Sequence, residues 1–200
     1  QLTLVAVSKT KSNEEIMEAY QSGQRVFGEN KIQEMSAKYE TLPKDIQWHM
    51  IGHVQTNKVK YMAPFVDLIH GVDRSKLLRE IDKQALKNNR IIDCLLQIHI
   101  AQESTKFGFS ESEITEALDL AGTLNNVRVV GLMGMATFTE NTQQITEEFK
   151  GLKRLFDQLK PQQPQFSVLS MGMSGDYPLA IAQGSNMIRV GSKIFGARNY

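Results

Sequence analysis

The sequence predicts an α/β protein, a single domain whose eight β/α units close into a barrel. Three observations predict it. Short apolar runs ending in Gly, Ser or Asn alternate along the chain with polar stretches of helical spacing, the pattern of repeated βα units. Eight such runs occur, and eight parallel βα units most naturally close on themselves. The runs are apolar almost throughout rather than at alternate positions, as parallel strands buried on both faces require. At 200 residues the barrel would be compact, near the lower end of the ~200 to 400 residues usual for the fold. An open doubly wound sheet is the alternative arrangement of the same units.

The first strand is expected over residues 2–7, ending at Ser8-Lys9. A helix then opens at Ser12 or Asn13, because Glu15 stands in capping-box position to Ser12. Its apolar positions Ile16, Ala19 and Tyr20 share a face, and Gly23 ends it. The second strand is short, residues 25–27, and runs into Gly28-Glu29-Asn30, with a helix from about Lys31 to Tyr39. Residues 47–52 form the third strand, with a helix near 56–62, and residues 68–72 the fourth, with a helix over 75–87. The fifth run, 93–100, is the most strand-like, and a capping box of Ser110 and Glu113 opens the helix over 110–121. The sixth strand, 127–135, precedes a long helix from about Thr142 to Leu159, which Pro161 and Pro164 end. The seventh is 166–170, with a helix near 177–182, and the eighth is 187–190. No linker, low-complexity tract or strong repeat marks a domain boundary, so residues 1–200 read as one domain.

Composition narrows the function classes. Hydrophobic residues make up 41% and charged residues 22%, which is ordinary for a globular domain. A net charge of +1 gives no large basic field of the kind that nucleic acid attracts. No apolar run approaches the ~18 residues of a membrane span. The single cysteine, Cys94, lies in an apolar run and reads as a small core residue. Without a disulfide framework, a reducing, cytoplasmic setting is expected.

In barrels of this kind the active site lies at the carboxyl ends of the strands. Lys9 ends a buried strand, where desolvation would lower its ammonium pKa and favour the neutral amine that Schiff-base chemistry needs. The alternative is a lysine that snorkels out of the barrel mouth. Residues 170–175, from Ser170 to Gly175, join a strand to a helix with small residues whose backbone N–H groups suit an anion, and Gly191-Ser192 offers a second such pair. Loops after strands seven and eight are where barrels often bind phosphate; ordinary tight turns are the other explanation. Arg189 interrupts an apolar strand. It either points into the barrel, where it must be paired or bound to something, or faces a helix carboxylate. The methionines near the mouth, Met133, Met135, Met171 and Met173, read as adaptable apolar walls.

Other chemistries lack their residues. His49 and His53 are four apart, but the glycine between them and the preceding strand speak against a helical metal pair, and one cysteine cannot build a structural zinc site. There is no phosphate-binding G-x-x-x-x-G-K-[ST] loop, no G-x-S-x-G elbow and no G-x-G-x-x-G.

Five stretches, in order along nearly the whole chain, carry a resemblance: residues 5–11 (VAVSKTK), 27–30 (FGEN), 48–58 (WHMIGHVQTNK), 170–176 (SMGMSGD) and 188–196 (IRVGSKIFG). Together they resemble the pyridoxal phosphate homeostasis protein family. The resemblance implies a TIM-type barrel like the N-terminal domain of alanine racemase, the type III fold for pyridoxal 5′-phosphate (PLP), without that enzyme's C-terminal β domain. It implies that Lys9 carries PLP as an aldimine and that Arg189 faces the pyridine nitrogen. Ser174, Gly191 and Ser192 would hold the phosphate, while Asn30, His49, Met133 and Met173 would line the pocket, with Ser170 also counted among the cofactor-binding residues.

Family members usually begin with a helix before the first strand, so a leading helix is expected to be missing ahead of Gln1. No β-rich domain is expected after Tyr200. Since in the racemases that domain supplies the opposing acid/base and much of the dimer, its absence favours a monomer without efficient racemisation. The expected function is therefore a non-enzymatic PLP carrier and buffer in intracellular PLP homeostasis, with apo PLP enzymes as possible partners. The alternative is a PLP-dependent amino-acid racemase, which needs acid/base groups on both faces of the ring; beyond Lys9 only His49 and Tyr177 offer themselves. A sugar-phosphate barrel enzyme would need a different Schiff base on Lys9, and it lacks paired carboxylates at the strand ends.

Overall fold

A computed structural model describes residues 1–105 and 107–196. Eight parallel strands close a barrel in sequence order, β1 (Thr3–Val7), β2 (Val26–Glu29), β3 (Gln47–Met50), β4 (Leu68–Val72), β5 (Ile92–Gln97), β6 (Val127–Met133), β7 (Val168–Met173) and β8 (Met187–Val190). β8 pairs with β1, Thr3 opposite Met187 and Val5 opposite Arg189. That pairing rules out the open sheet. Helices α1 (Asn13–Gln21), α2 (Ile32–Thr41), α3 (Val59–Met62), α4 (Ser75–Lys87), α5 (Ile114–Gly122), α6 (Thr142–Leu159), α7 (Tyr177–Ala182) and α8 (Ser192–Phe195) follow the strands in turn.

Local signals set the helix ends. Ser12 caps α1 with the reciprocal Glu15 bond of a capping box, a device worth about 1 kcal/mol. At the other end Gln24 N–H reaches Ala19 O and Gly23 N–H reaches Tyr20 O, with Gly23 at φ +102°, the left-handed turn that glycine makes without penalty. Ser110 and Glu113 form the second capping box. It opens a 3₁₀ turn, Glu111–Glu113, that leads into α5. Another, Thr56–Lys58, leads into α3.

Two apolar cores result. The larger lies between strands and helices and includes Phe27, Trp48, Ile69, Leu96, Phe149 and Met171. The smaller fills the barrel interior with Val5, Leu68, Leu95, Val130, Met133 and Met187. Cys94 belongs to the larger core, and burial pushes its thiol pKa up.

Three departures from the sequence reading bear on the site. β7 continues to Met173, so residues 170–173 are strand rather than connecting loop. Its register against β8 shifts between Ser170 and Met173, where Gly172 sits at φ +101°. On a regular strand Met171 and Met173 would share a face. The irregularity separates them, so Met171 packs toward the helices while Met173 turns to the barrel mouth. β5 and β6 end earlier than expected, at Gln97 and Met133; after β5 the chain turns away and Ile98 bridges to Phe109. Finally, a short helix, α8, follows β8, where the sequence reading named no helix. Among the described residues no helix is long and apolar enough to cross a membrane.

Candidate functional site

A cavity of about 430 Å³ opens at the carboxyl ends of the strands, within the ~300 to 1,000 Å³ typical of small-molecule sites. β1 delivers Lys9 to its wall and β8 delivers Arg189, Gly191 and Ser192. Asn30 comes from just beyond β2, and Met173 and Ser174 from the end of β7. Seven of the ten residues singled out from the sequence therefore meet at one cavity. Lys9 is half-buried. It heads a tight turn in which Thr10 holds φ +64°, a left-handed conformation that costs a non-glycine residue roughly 1 kcal/mol or more.

His49, Met133 and Ser170 do not line this cavity. Alternation along the strand explains the displacement: residues two apart share the inward face, and Ile51 and Met135, each two residues farther on, take the wall positions. Met133 lies in the barrel's inner core. His49 and Ser170 lie below the cavity floor, buried with His70.

These buried polar groups form a chain. His49 Nδ1 lies 2.9 Å from His70 Nε2, and His70 Nδ1 lies 2.9 Å from Ser170 Oγ. Arg189 Nη1 donates to the same Ser170 oxygen, and its Nη2 donates to Gly134 O at 3.1 Å. Arg189 is 3% exposed and thus points into the barrel, which settles the two orientations that the sequence left open. Burial lowers its pKa to about 10 while Asp176 opposes the shift, so it stays a cation at neutral pH. Burial likewise lowers His49 to about 3, and lowers His70 with help from His49 and Arg189. Both histidines are neutral hydrogen-bond partners there. His53 is elsewhere: it pairs with Asp73 at 3.1 Å and stacks on Phe107.

The β7 and β8 ends meet at Ser174, whose Oγ accepts the Gly191 N–H at 3.1 Å. Asp176 accepts the Met173 N–H at 2.7 Å and so fixes the turn that carries Ser174. With its oxygen held by Gly191, the Ser174 hydroxyl proton is available to an acceptor in the cavity.

The sequence reading missed Lys11 and His70. Lys11 also lines the cavity, with Nζ 3.2 Å from both Glu15 and the Phe195 carbonyl. For His70 a signal existed: it is the polar residue on the face of β4 that Leu68 turns inward.

Donor set and cavity fit PLP, since a primary amine, a cation that only donates hydrogen bonds, and hydroxyl and amide donors near small residues border one space. Comparison with known proteins agrees. Residues 2–199 match the model of the alanine racemase N-terminal domain. A curated relative from Aquifex aeolicus, named pyridoxal phosphate homeostasis protein, is 42% identical over 202 aligned positions, covering 98% of this chain and 87% of the relative. The solved structure of PipY from Synechococcus elongatus without PLP superposes with a TM-score of 0.93 at 36% identity, covering 98% of this chain and 93% of that one. PipY with PLP bound gives 0.89 at 36% identity, covering 98% and 92%. By sequence over nearly its full length and by fold, the chain belongs to the pyridoxal phosphate homeostasis protein family, built on the alanine racemase N-terminal domain.

Proposed function

We propose that this protein binds PLP at the barrel mouth, attached through Lys9, and serves as a carrier and buffer of the cofactor within the cell. The observation that supports this best is the placement of Lys9 and Arg189 around one cavity, with Ser174, Gly191 and Ser192 beside them. Lys9 supplies the primary amine. Ser174 supplies a hydroxyl donor for a phosphate, its oxygen held by the Gly191 N–H, and Ser192 supplies a hydroxyl and a backbone donor beside it. Arg189, held below by Ser170 and Gly134, presents a group that donates and never accepts. Asn30 and Met173 complete the wall. When bound, the cofactor would supply an aldehyde able to join a lysine amine with loss of one water, and a ring nitrogen that would stay unprotonated opposite a guanidinium that only donates. A ring in that state is a weak electron sink, which favours holding PLP over turning over amino acids.

The alternative of a racemase gains no support from the geometry. His49 lies under the floor and Tyr177 is not among the cavity-lining residues, so neither offers a second-face acid to a ligand in the cavity. The family name of the relatives also favours a homeostatic role. The test is a titration of apoprotein with PLP, followed by mixing loaded protein with an apo PLP enzyme. Stoichiometric uptake, regain of activity by the apo-enzyme and no loss of α-deuterium from L- or D-alanine are expected. Deuterium loss at enzymatic rates would overturn the carrier reading.

A further inference from the structure

A buried ionic cluster sits behind Lys9 and has no part in the cavity wall. Glu29, at the end of β2, is fully buried, and Lys38, from α2, is 6% exposed. Lys38 Nζ donates to Glu29 Oε1 at 2.6 Å, to Glu34 Oε1 at 2.8 Å and to the Ser8 carbonyl at 2.7 Å, which uses all three of its protons. The Ser8 hydroxyl donates to Glu29 Oε1 at 2.6 Å. The Thr10 N–H donates to Glu34 Oε1 at 2.6 Å. The residues on either side of Lys9 are thus gripped by one cluster, Ser8 through its carbonyl and hydroxyl, Thr10 through its amide.

Stability alone is a poor reason for such a cluster. Two charges taken out of water are often no better than an apolar pair of the same size. Glu29 Oε2 is buried without a hydrogen-bond partner, and burial outweighs Lys38 and Ser8 in setting the Glu29 pKa, which is raised. What the cluster does accomplish is geometric: it pins Thr10 in its left-handed conformation and thereby sets the direction in which the intervening residue leaves the barrel.

We infer that Lys38, with Glu29 and Glu34, is a positioning set that aims Lys9 into the cavity. This rests on the reading of Lys9 as the PLP anchor. None of the three lines the cavity, so their effect is exerted through the backbone of residues 8–10.

The test compares the full-length protein with E34A, E34Q and K38M, and with K150A as a surface control. Two rates are read at Lys9 by peptide mass after reduction: capture of PLP, and methylation by formaldehyde, an aldehyde with no phosphate or ring to be oriented. Thermal midpoints show which variants are folded. E34A removes the acceptor for the Thr10 amide and should slow PLP capture about tenfold, in keeping with the sensitivity of reactions to small misplacements. Formaldehyde methylation should not slow. E34Q, which keeps an oxygen there, should stay near the parent rate. K38M should resemble or exceed E34A if it folds; E34A, altered at a partly exposed position, keeps the test alive if it does not. Parent-like PLP capture in folded E34A would overturn the inference. If the parent protein itself takes up no PLP, the anchor reading fails separately. Amide exchange at Thr10 then decides the positioning claim: it should quicken at least about tenfold in E34A, and unchanged exchange would overturn it.

Discussion

His49 and His70 face each other inside the barrel, with Nδ1 of the first 2.9 Å from Nε2 of the second. Arg189 fixes the direction of the whole chain to which they belong. Its guanidinium can only donate, so Ser170 Oγ accepts from it. Ser170 then gives its own proton to His70 Nδ1, which leaves His70 protonated on Nε2 and donating to His49 Nδ1. His49 must in turn carry its proton on Nε2. Nitrogen NMR of the two imidazoles should show both as neutral Nε2–H tautomers at pH 7. An Nδ1–H form of His70 would break the chain as described.

The same burial makes acid sensitivity a property of the fold. His49 is held down to about 3 and His70 well below its ordinary value, whereas in the unfolded chain each titrates near 6.5. Below about pH 6.5 the unfolded state takes up protons that the folded state refuses, so stability falls as pH drops toward the folded value. The loss is about 1.4 kcal/mol per pH unit for each histidine. Chemical denaturation at pH 7, 6 and 5 checks this. In H49F the slope should shrink by about one proton; an unchanged slope would mean that His49 does not stay neutral.

Arg189 ties the floor of the site to this chain. R189K keeps the charge but cannot reach Ser170 and Gly134 with one planar group. PLP binding measured by absorbance titration should weaken about tenfold or more, by loss of a charged hydrogen bond worth ~1.5 to 3 kcal/mol. Equal affinity in R189K would remove the arginine from the cofactor's surroundings.

Gly172 makes the bulge that brings Met173 and Ser174 to the cavity. A Cβ there would lie 2.6 Å from the Ala180 Cβ and 3.0 Å from the Tyr177 Cα, at φ +101°. G172A should therefore lower stability by about 1 to 3 kcal/mol and weaken binding of inorganic phosphate, both measurable by thermal shift with and without phosphate. G175A, with open space around its Cβ position, should be close to neutral for stability.

Much of this was legible in the residues. Apolar runs with helical spacers gave all eight units, and the capping boxes at Ser12 and Ser110 placed two helix starts, because such signals act within a few residues. The closure of β8 on β1 followed only from counting units. What escaped depends on long-range register. His70 joins Ser170, a hundred positions away. The depth of His49, Met133 and Ser170 depends on which layer of the barrel each strand delivers, and the Gly172 bulge resets the inward face of β7. The grip of Lys38 on Ser8 spans thirty positions, and in the sequence Lys38 reads as one more polar helix residue. The family resemblance supplied the chemistry of Lys9 and Arg189, which position alone left open.

The central claim is that Lys9 is where this protein carries PLP, and one measurement tests it most directly. The protein is mixed with PLP, its visible spectrum is recorded, and it is reduced with borohydride before peptide mapping, in parallel with K9A. The account predicts a yellow protein whose pyridoxyl mass sits on Lys9, and a K9A protein that is folded, colourless and unlabelled at the cavity. Labelling that falls on Lys11 or another lysine, or that survives in K9A at the same stoichiometry, would contradict it.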